Sequence, residues 1–400
     1  MPRMQSRRQA RIVAFTALGL VAALFSAVAC SSNSTVTSAP AAPSTVNPIS
    51  TTVASTPTID STVASTPTVD PLIACLATWP LRDRIALLVW PGAYSDQWAD
   101  VEATVRDLHV GGVLLMKVAD ALAGDLATHL TELEQLSAHG LLVAVDEEGG
   151  DVQRLRVLDS FPSQEDMSLL TLDERTTILD RHAQVIASAG IDVVLGPIVD
   201  VRPLTGTDPL GDDRLFIGDP QQVAALGAEY VGAWQRAGML PVLKHFPGHG
   251  GASADTHEQL ATTASLDALR AYDLVPFQQL ATSGAAVMVG HLNVPGLTDG
   301  QPASTNAAAV ALLRELGYAN ALVLSDALGM DAIGIPVAEA AVMSVQAGID
   351  VVIFTGIADA APVIDALELA VTDGRLTAAN IDDSALRVAR LLEADGRMCS

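Results

Sequence analysis

Short apolar runs recur along this chain, each separated from the next by a longer stretch of helical periodicity. That alternation constrains the fold more than any other feature. The runs are Gly112–Met116, Leu141–Val145, Asp192–Gly196, Pro241–Lys244, Ala286–Val289, Ala321–Ser325 and Asp350–Phe354. Their hydrophobicity is nearly continuous rather than alternating, as in strands covered on both faces. Asp120–Ala138, Asp173–Ala189, Pro220–Ala237 and Ser304–Leu316 read as the intervening helices. Gly140, Gly190, Gly238, Gly284, Gly317 and Gly348 stand just before strands, where glycine commonly ends a helix. Together these signals specify a parallel α/β fold.

A closed (β/α)8 TIM-type barrel accounts for the residues at the strand ends better than an open doubly wound sheet does. Polar residues stand just past most strands: Asp146-Glu147-Glu148, Asp200-Val201-Arg202, Lys244-His245, His291 and Asp326. In a barrel all those ends open on one face, where catalytic groups collect. An open sheet would instead gather its chemistry at one switch point with a glycine-rich phosphate turn, and no such turn stands after a strand here. Seven strands are legible, so the eighth is expected to be irregular.

Half of the residues are hydrophobic, enough for one large core, and the formal net charge is −24. That balance excludes nucleic acid as a partner, since phosphates need clustered cations. It also argues against a polybasic membrane surface. Lys117 and Lys244 are the only lysines, which draws attention to the setting of Lys244.

The N-terminus reads as an address rather than as fold. Arg3, Arg7, Arg8 and Arg11 precede an uncharged apolar run, Ile12 to Ala29, that ends in Ala27-Val28-Ala29-Cys30. A cysteine directly after small residues resembles the lipobox of bacterial lipoproteins, so residues 1–29 are expected to be cleaved and Cys30 to carry the lipid. A plain signal peptide is the alternative. Cleavage takes away four arginines and no acids, leaving −28. Residues 30–71 are rich in Ser, Thr, Ala and Pro and contain the tandem repeat TTVASTPTID, STVASTPTVD. Such a composition buries too little apolar surface to offset ordering entropy and reads as a tether. The expected location is outside the cytoplasm, on the cell membrane, with residues 72–400 forming the barrel.

Cys75 and Cys399 sit near the two ends of that barrel segment. The ends of a closed barrel lie near one another and an exported setting is oxidising, so a Cys75–Cys399 disulfide is expected. Two free thiols are the alternative.

The densest chemistry is Lys244-His245-Phe246-Pro247-Gly248-His249-Gly250, with Asp255-Thr256-His257 shortly after it. Three of the chain's eight histidines fall in this stretch, so a function or a packing role must account for them. Metal binding is one reading, but the spacing matches no ligand motif. Packing alone is another; recognition and proton transfer on a sugar is the third.

The motif KHFPGHG with D-T-H resembles the signature of family 3 glycoside hydrolases, specifically their bacterial β-N-acetylglucosaminidase branch. VDEEGGDVQR, GDDRLFIGDP and LVLSDALGM are similar to further motifs of that branch, in the same order. The resemblance spans residues 78–395. It implies Asp326 as nucleophile, His257 as acid/base and Asp255 as the carboxylate that orients His257. It also implies Asp146, Arg214, Lys244 and His245 as sugar-binding groups, and no cofactor or metal. Arg154 matches its motif too and is read as shaping the loop. Gly248, Gly250 and Gly251 are read as giving the loop freedom to swing His257. The chain departs from the pattern at Glu147 (usually Gln), Asp151 (usually Arg), Ala327 (usually Asp) and Ile217 (usually Gly), which bears on the leaving-group side.

The expected activity is retaining hydrolysis of terminal β-linked GlcNAc from peptidoglycan or muropeptide fragments, by a monomer. Glycoside phosphorolysis, a lipid-anchored sugar-binding protein without catalysis, and a metal-dependent hydrolase are the other readings. The disulfide is checked by the intact mass of the exported protein. Reduction should add two hydrogens and free two thiols for alkylation; an unchanged mass contradicts the pairing.

Overall fold

A computed structural model describes residues 70–119, 124–204, 209–211 and 213–394. The segment expected to be cleaved, Cys30, Cys399 and all of the expected tether before residue 70 lie outside the described residues. Cys75, in the short helix Pro71–Leu76, is disulfide-bonded.

Eight parallel strands succeed one another: β1 Val89–Tyr94, β2 Gly112–Lys117, β3 Leu142–Val145, β4 Val193–Val194, β5 Leu240–Phe246, β6 Ala286–Val289, β7 Val323–Ser325 and β8 Val352–Phe354. Each of β1 to β6 pairs in parallel with the next, and β1 pairs with β8. A parallel bridge between Leu324 and Val351, with the Ser325 amide donating to the Val351 carbonyl at 2.9 Å, joins β7 to β8 and closes the barrel. The longer helices between and after them are α1 Trp98–Leu108, α2 Leu126–Leu136, α3 Leu172–Ser188, α4 Pro220–Arg236, α5 Leu274–Leu280, α6 Ala307–Leu313, α7 Val337–Ala347 and α8 Ala360–Thr372. A final helix, α9 Ala378–Ala394, ends the described chain. The (β/α)8 barrel read from the alternation is therefore the architecture observed.

The seven legible strands are all present, and the one missed is β1. Its sequence, Val89-Trp90-Pro91-Gly92-Ala93-Tyr94, carries a proline and a glycine that normally demote a strand. The glycine has a packing reason: a Cβ at Gly92 would stand 2.4 Å from the Thr355 carbonyl oxygen just past β8. Trp90 is fully buried and donates its indole N–H to the Leu87 carbonyl at 3.1 Å. A side chain at Gly112 would meet that indole at 2.8 Å, so the small residue on β2 makes room for the large one on β1.

Helix ends obey their signals closely. Thr171 with Glu174, and Asp219 with Gln222, form capping boxes at the starts of α3 and α4. All six glycines expected before strands have positive φ, between 81° and 114°. The helix expected over Ser304–Leu316 is shorter than read. Asn306 caps it at the start, and it passes into a wider turn over Arg314–Tyr318, where Gly317 leaves the helical region.

The close approach at Gly92 yields a stability test. Gly92→Ala should cost about 1–3 kcal/mol through overpacking. Gly124→Ala, with nothing within 4 Å of its added methyl, should stay within about 0.5 kcal/mol of the parent. Urea unfolding of both variants checks the pair.

Candidate active site

The C-terminal ends of the strands enclose a cavity of about 320 Å³. Asp146, Glu148, Arg154, Arg214, Lys244, His245, His257 and Asp326 all line it. The fold thus gathers every catalytic and sugar-binding residue expected from sequence except Asp255, which reaches the cavity through His257. The apolar part of the lining comes from Leu114 and Met116 on β2, Leu195, Met288 on β6, Met330 and Ile353 on β8.

At its centre lies a buried charge cluster. The Lys244 side chain on β5 is only 2% exposed, and its amine donates to Asp146 Oδ1 at 2.7 Å and meets Glu148 Oε1 at 2.6 Å. Arg214 grips the same Glu148 with two parallel bonds, Nε to Oε2 at 2.8 Å and Nη2 to Oε1 at 2.9 Å. Burial raises the cost of ionising Glu148, but the Lys244 and Arg214 charges outweigh it and hold the carboxyl at about 2. Burial likewise opposes the charges on Lys244 and Arg214, and the facing carboxylates raise both above their ordinary values. Glu148 is the functional residue that sequence reading missed. Its acidic cluster after β3 was visible, yet no local signal said which of three acids would meet the cations.

Arg154, read as shaping its loop, bonds through its amide to the Asp146 carbonyl at 3.3 Å. Its guanidinium lines the cavity, 3.9 Å from Asp146 Oδ2, and its buried Nε finds no partner among the described residues.

Asp326 stands directly after β7. Its own amide donates to the Val289 carbonyl, and its Oδ1 accepts the Ala327 amide at 2.8 Å, so backbone on two sides fixes the carboxylate. Burial would raise its pKa, but His291, His245, the Ala327 amide and Lys244 pull it down to about 2. The carboxylate is therefore ionised at neutral pH. His291, fully buried, donates Nε2–H to the Ala327 carbonyl at 2.9 Å, while its Nδ1 faces the Ser304 hydroxyl at 2.7 Å. Burial lowers its pKa. With alanine at position 327, main-chain atoms supply the hydrogen bonds to Asp326.

Two carboxylate–imidazole pairs stand on β5 and the loop after it. Asp200, fully buried, accepts the His245 amide at 3.0 Å, faces His245 Nδ1 at 2.7 Å, and accepts the His249 amide at 2.7 Å. A carboxylate only accepts, so Nδ1 carries a proton. Nε2 is then the ring nitrogen turned away from Asp200. The second pair is exposed: His257 Nδ1 meets Asp255 Oδ1 at 2.7 Å, with 62% of the His257 side chain open to solvent. Burial would raise Asp255, but the bonds from His257 lower it. His249 is buried and neutral, its pKa pushed by burial and by His245 down to about 4. Among the described residues no cluster of His, Cys, Asp or Glu has a metal-binding arrangement.

The glycines of this loop do not simply loosen it. A Cβ at Gly250 would fall 2.0 Å from the Val201 carbonyl oxygen, and one at Gly248 would fall 2.5 Å from the Asp273 Cβ. Both permit close packing; only Gly251 has open surroundings.

The profile of the glycosyl hydrolase family 3 N-terminal domain matches residues 80–391. The β-hexosaminidase LpqI of Mycobacterium tuberculosis is 39% identical over 326 residues, covering 78% of this chain and 82% of that one. Among solved structures, a family 3 glycosyl hydrolase from Mycobacterium smegmatis superposes with a TM-score of 0.74 at 38% identity, covering 79% of this chain and 98% of its own. A family 3 β-N-acetylglucosaminidase from Paenibacillus reaches 0.71 at 28% identity, over 80% of this chain and 64% of its own.

Glu148 connects the site to acid stability. Its folded value lies below that of a free carboxyl, so its ionised form contributes stability that is complete above the ordinary 4.5 and lost as pH falls toward 2. The contribution is on the order of 3 kcal/mol. Glu148→Gln should therefore lower stability at neutral pH and flatten its decline in acid, measured by urea unfolding across that range. An unchanged acid decline would contradict the cluster's role.

Proposed function

The chain belongs to glycosyl hydrolase family 3, and from that premise we propose that it is a retaining β-N-acetylglucosaminidase acting on terminal β-linked GlcNAc of peptidoglycan or muropeptide fragments. The observation that carries the reading is the pairing, in one cavity, of an ionised carboxylate fixed at a strand end with an imidazole oriented by its own carboxylate. The names of the relatives, a β-hexosaminidase and a β-N-acetylglucosaminidase, support the choice of sugar.

In the first step an Asp326 oxygen attacks the anomeric carbon as the glycosidic C–O bond breaks. The leaving oxygen takes a proton from His257 Nε2. In the second step His257 Nε2 takes a proton from water, whose oxygen attacks the same carbon and releases Asp326. With Nδ1–H committed to Asp255, the free Nε2 serves both steps, and the imidazolium that donates in the first and re-forms in the second is stabilised by the carboxylate. Asp146 accepts from sugar hydroxyls. Lys244, Arg214 and His245 donate to hydroxyl or acetamido oxygens.

The exported setting belongs to the same reading: cleavage after Ala29, a lipid on Cys30, a tether, and a monomeric barrel outside the cytoplasm. With Cys30 lipidated, Cys399 is the thiol left to bond Cys75.

The test is a panel of chromogenic β-glycosides with the parent enzyme and His257→Gln. The parent should prefer GlcNAc over glucose. The variant should lose about 10²–10⁴-fold in kcat on a sugar leaving group. Its first step should suffer less on an activated aryl leaving group, which needs no proton. Equal, small losses on both would overturn the acid/base role. In phosphate buffer the released sugar should be free GlcNAc; sugar 1-phosphate would instead indicate phosphorolysis.

A further inference from the structure

Glu147 is a buried acid to which neither sugar binding nor proton transfer in the cavity gives a task. Its side chain is fully buried. Oε2 accepts the Leu155 amide at 3.0 Å, and Oε1 faces His182 Nε2 at 3.1 Å. His182, equally buried on α3, turns its other nitrogen, Nδ1, to Asp159 Oδ2 at 3.1 Å. Arg181 also meets Asp159 Oδ2 at 3.1 Å. The imidazole stacks on Phe161 at 4.3 Å and meets the edge of Trp234 at 6.0 Å; beyond them lies Tyr230, its hydroxyl kept protonated by burial. Glu147, Asp159 and Arg181 are thus the charged groups around His182.

A neutral imidazole has one N–H, whereas two carboxylate contacts need two. We propose that Glu147 and a doubly protonated His182 form a positioning pair that pins the sugar-binding hairpin to α3. The inference rests on the sugar-cleaving reading of the cavity. The hairpin is Glu147–Gly149 paired with Val152–Gln153. It carries Asp146 just before it, Glu148 within it and Arg154 just after it, so one buried ion pair sets the place of three cavity side chains. Gln153 adds a second tie, donating to the Asp159 carbonyl at 2.7 Å and accepting the Phe161 amide at 3.2 Å. The charge at Glu147 is answered on a helix outside the cavity.

Nitrogen-15 NMR of the imidazole rings tests the proton count independently of any activity, with His182 assigned by its change in Glu147→Gln. Near neutral pH both ring nitrogens should carry protons in the parent, and Glu147→Gln should leave one of them bare. The second readout is kinetic. His182→Gln takes the cation from buried Glu147, leaving it the Leu155 amide, and should raise KM about tenfold while changing kcat less than about threefold. Adding Glu147→Gln should recover most of that loss, which a merely structural role would not produce. A singly protonated His182 in the parent overturns the inference, as does a loss that the double variant does not relieve. If the parent cleaves no GlcNAc glycoside, the functional reading fails, while the NMR result still decides the proton count.

Discussion

Lys244 cannot be buried alone. An ammonium taken out of water is tolerable only where carboxylates meet it in good geometry, because the loss of hydration exceeds what a single imperfect contact returns. Here Asp146 and Glu148 meet it at 2.7 and 2.6 Å, and Arg214 closes the cluster from the other side. Three separate pieces of chain, the hairpin after β3, strand β5 and the loop before α4, must therefore arrive together. The cavity floor is made rigid by that requirement. The Lys244 charge also helps lower Asp326, which ties the ionisation of the proposed nucleophile to the buried charge cluster.

Rigidity is distributed unevenly across the site. Asp326 is bracketed by backbone bonds at the end of a buried strand, whereas His257 and Asp255 stand exposed on the loop after β5. A nucleophile gains from being fixed beneath the anomeric carbon. An acid/base that serves a leaving group and then a water gains from standing at the open side, where both must pass. The barrel supplies the first condition through strand ends and the second through a long loop.

The alternation of apolar runs and helices sufficed to read the barrel, because strands buried on both faces leave an unmistakable pattern. Strand β1 escaped because its constraint is non-local: Gly92 is there for Thr355, far away in the chain. The motifs single out Asp326, His257, Asp255 and the sugar-binding set, and the fold brings all but Asp255 into the lining of one cavity. What sequence hid was pairing. Glu148 and Glu147 are adjacent acids, yet one serves Lys244 and Arg214 and the other serves His182 on a distant helix. Likewise the proton on His245 is decided by Asp200, forty-five residues earlier, which only the assembled barrel brings near.

The account depends most on Asp326 becoming covalently bonded to the sugar. Incubation with a 5-fluoro β-GlcNAc donor, with peptide mass mapping afterwards, addresses that directly. The account predicts the mass of one fluorinated GlcNAc on the peptide containing Asp326, accumulating as activity is lost. Turnover of GlcNAc glycosides with the label on a different peptide would contradict it.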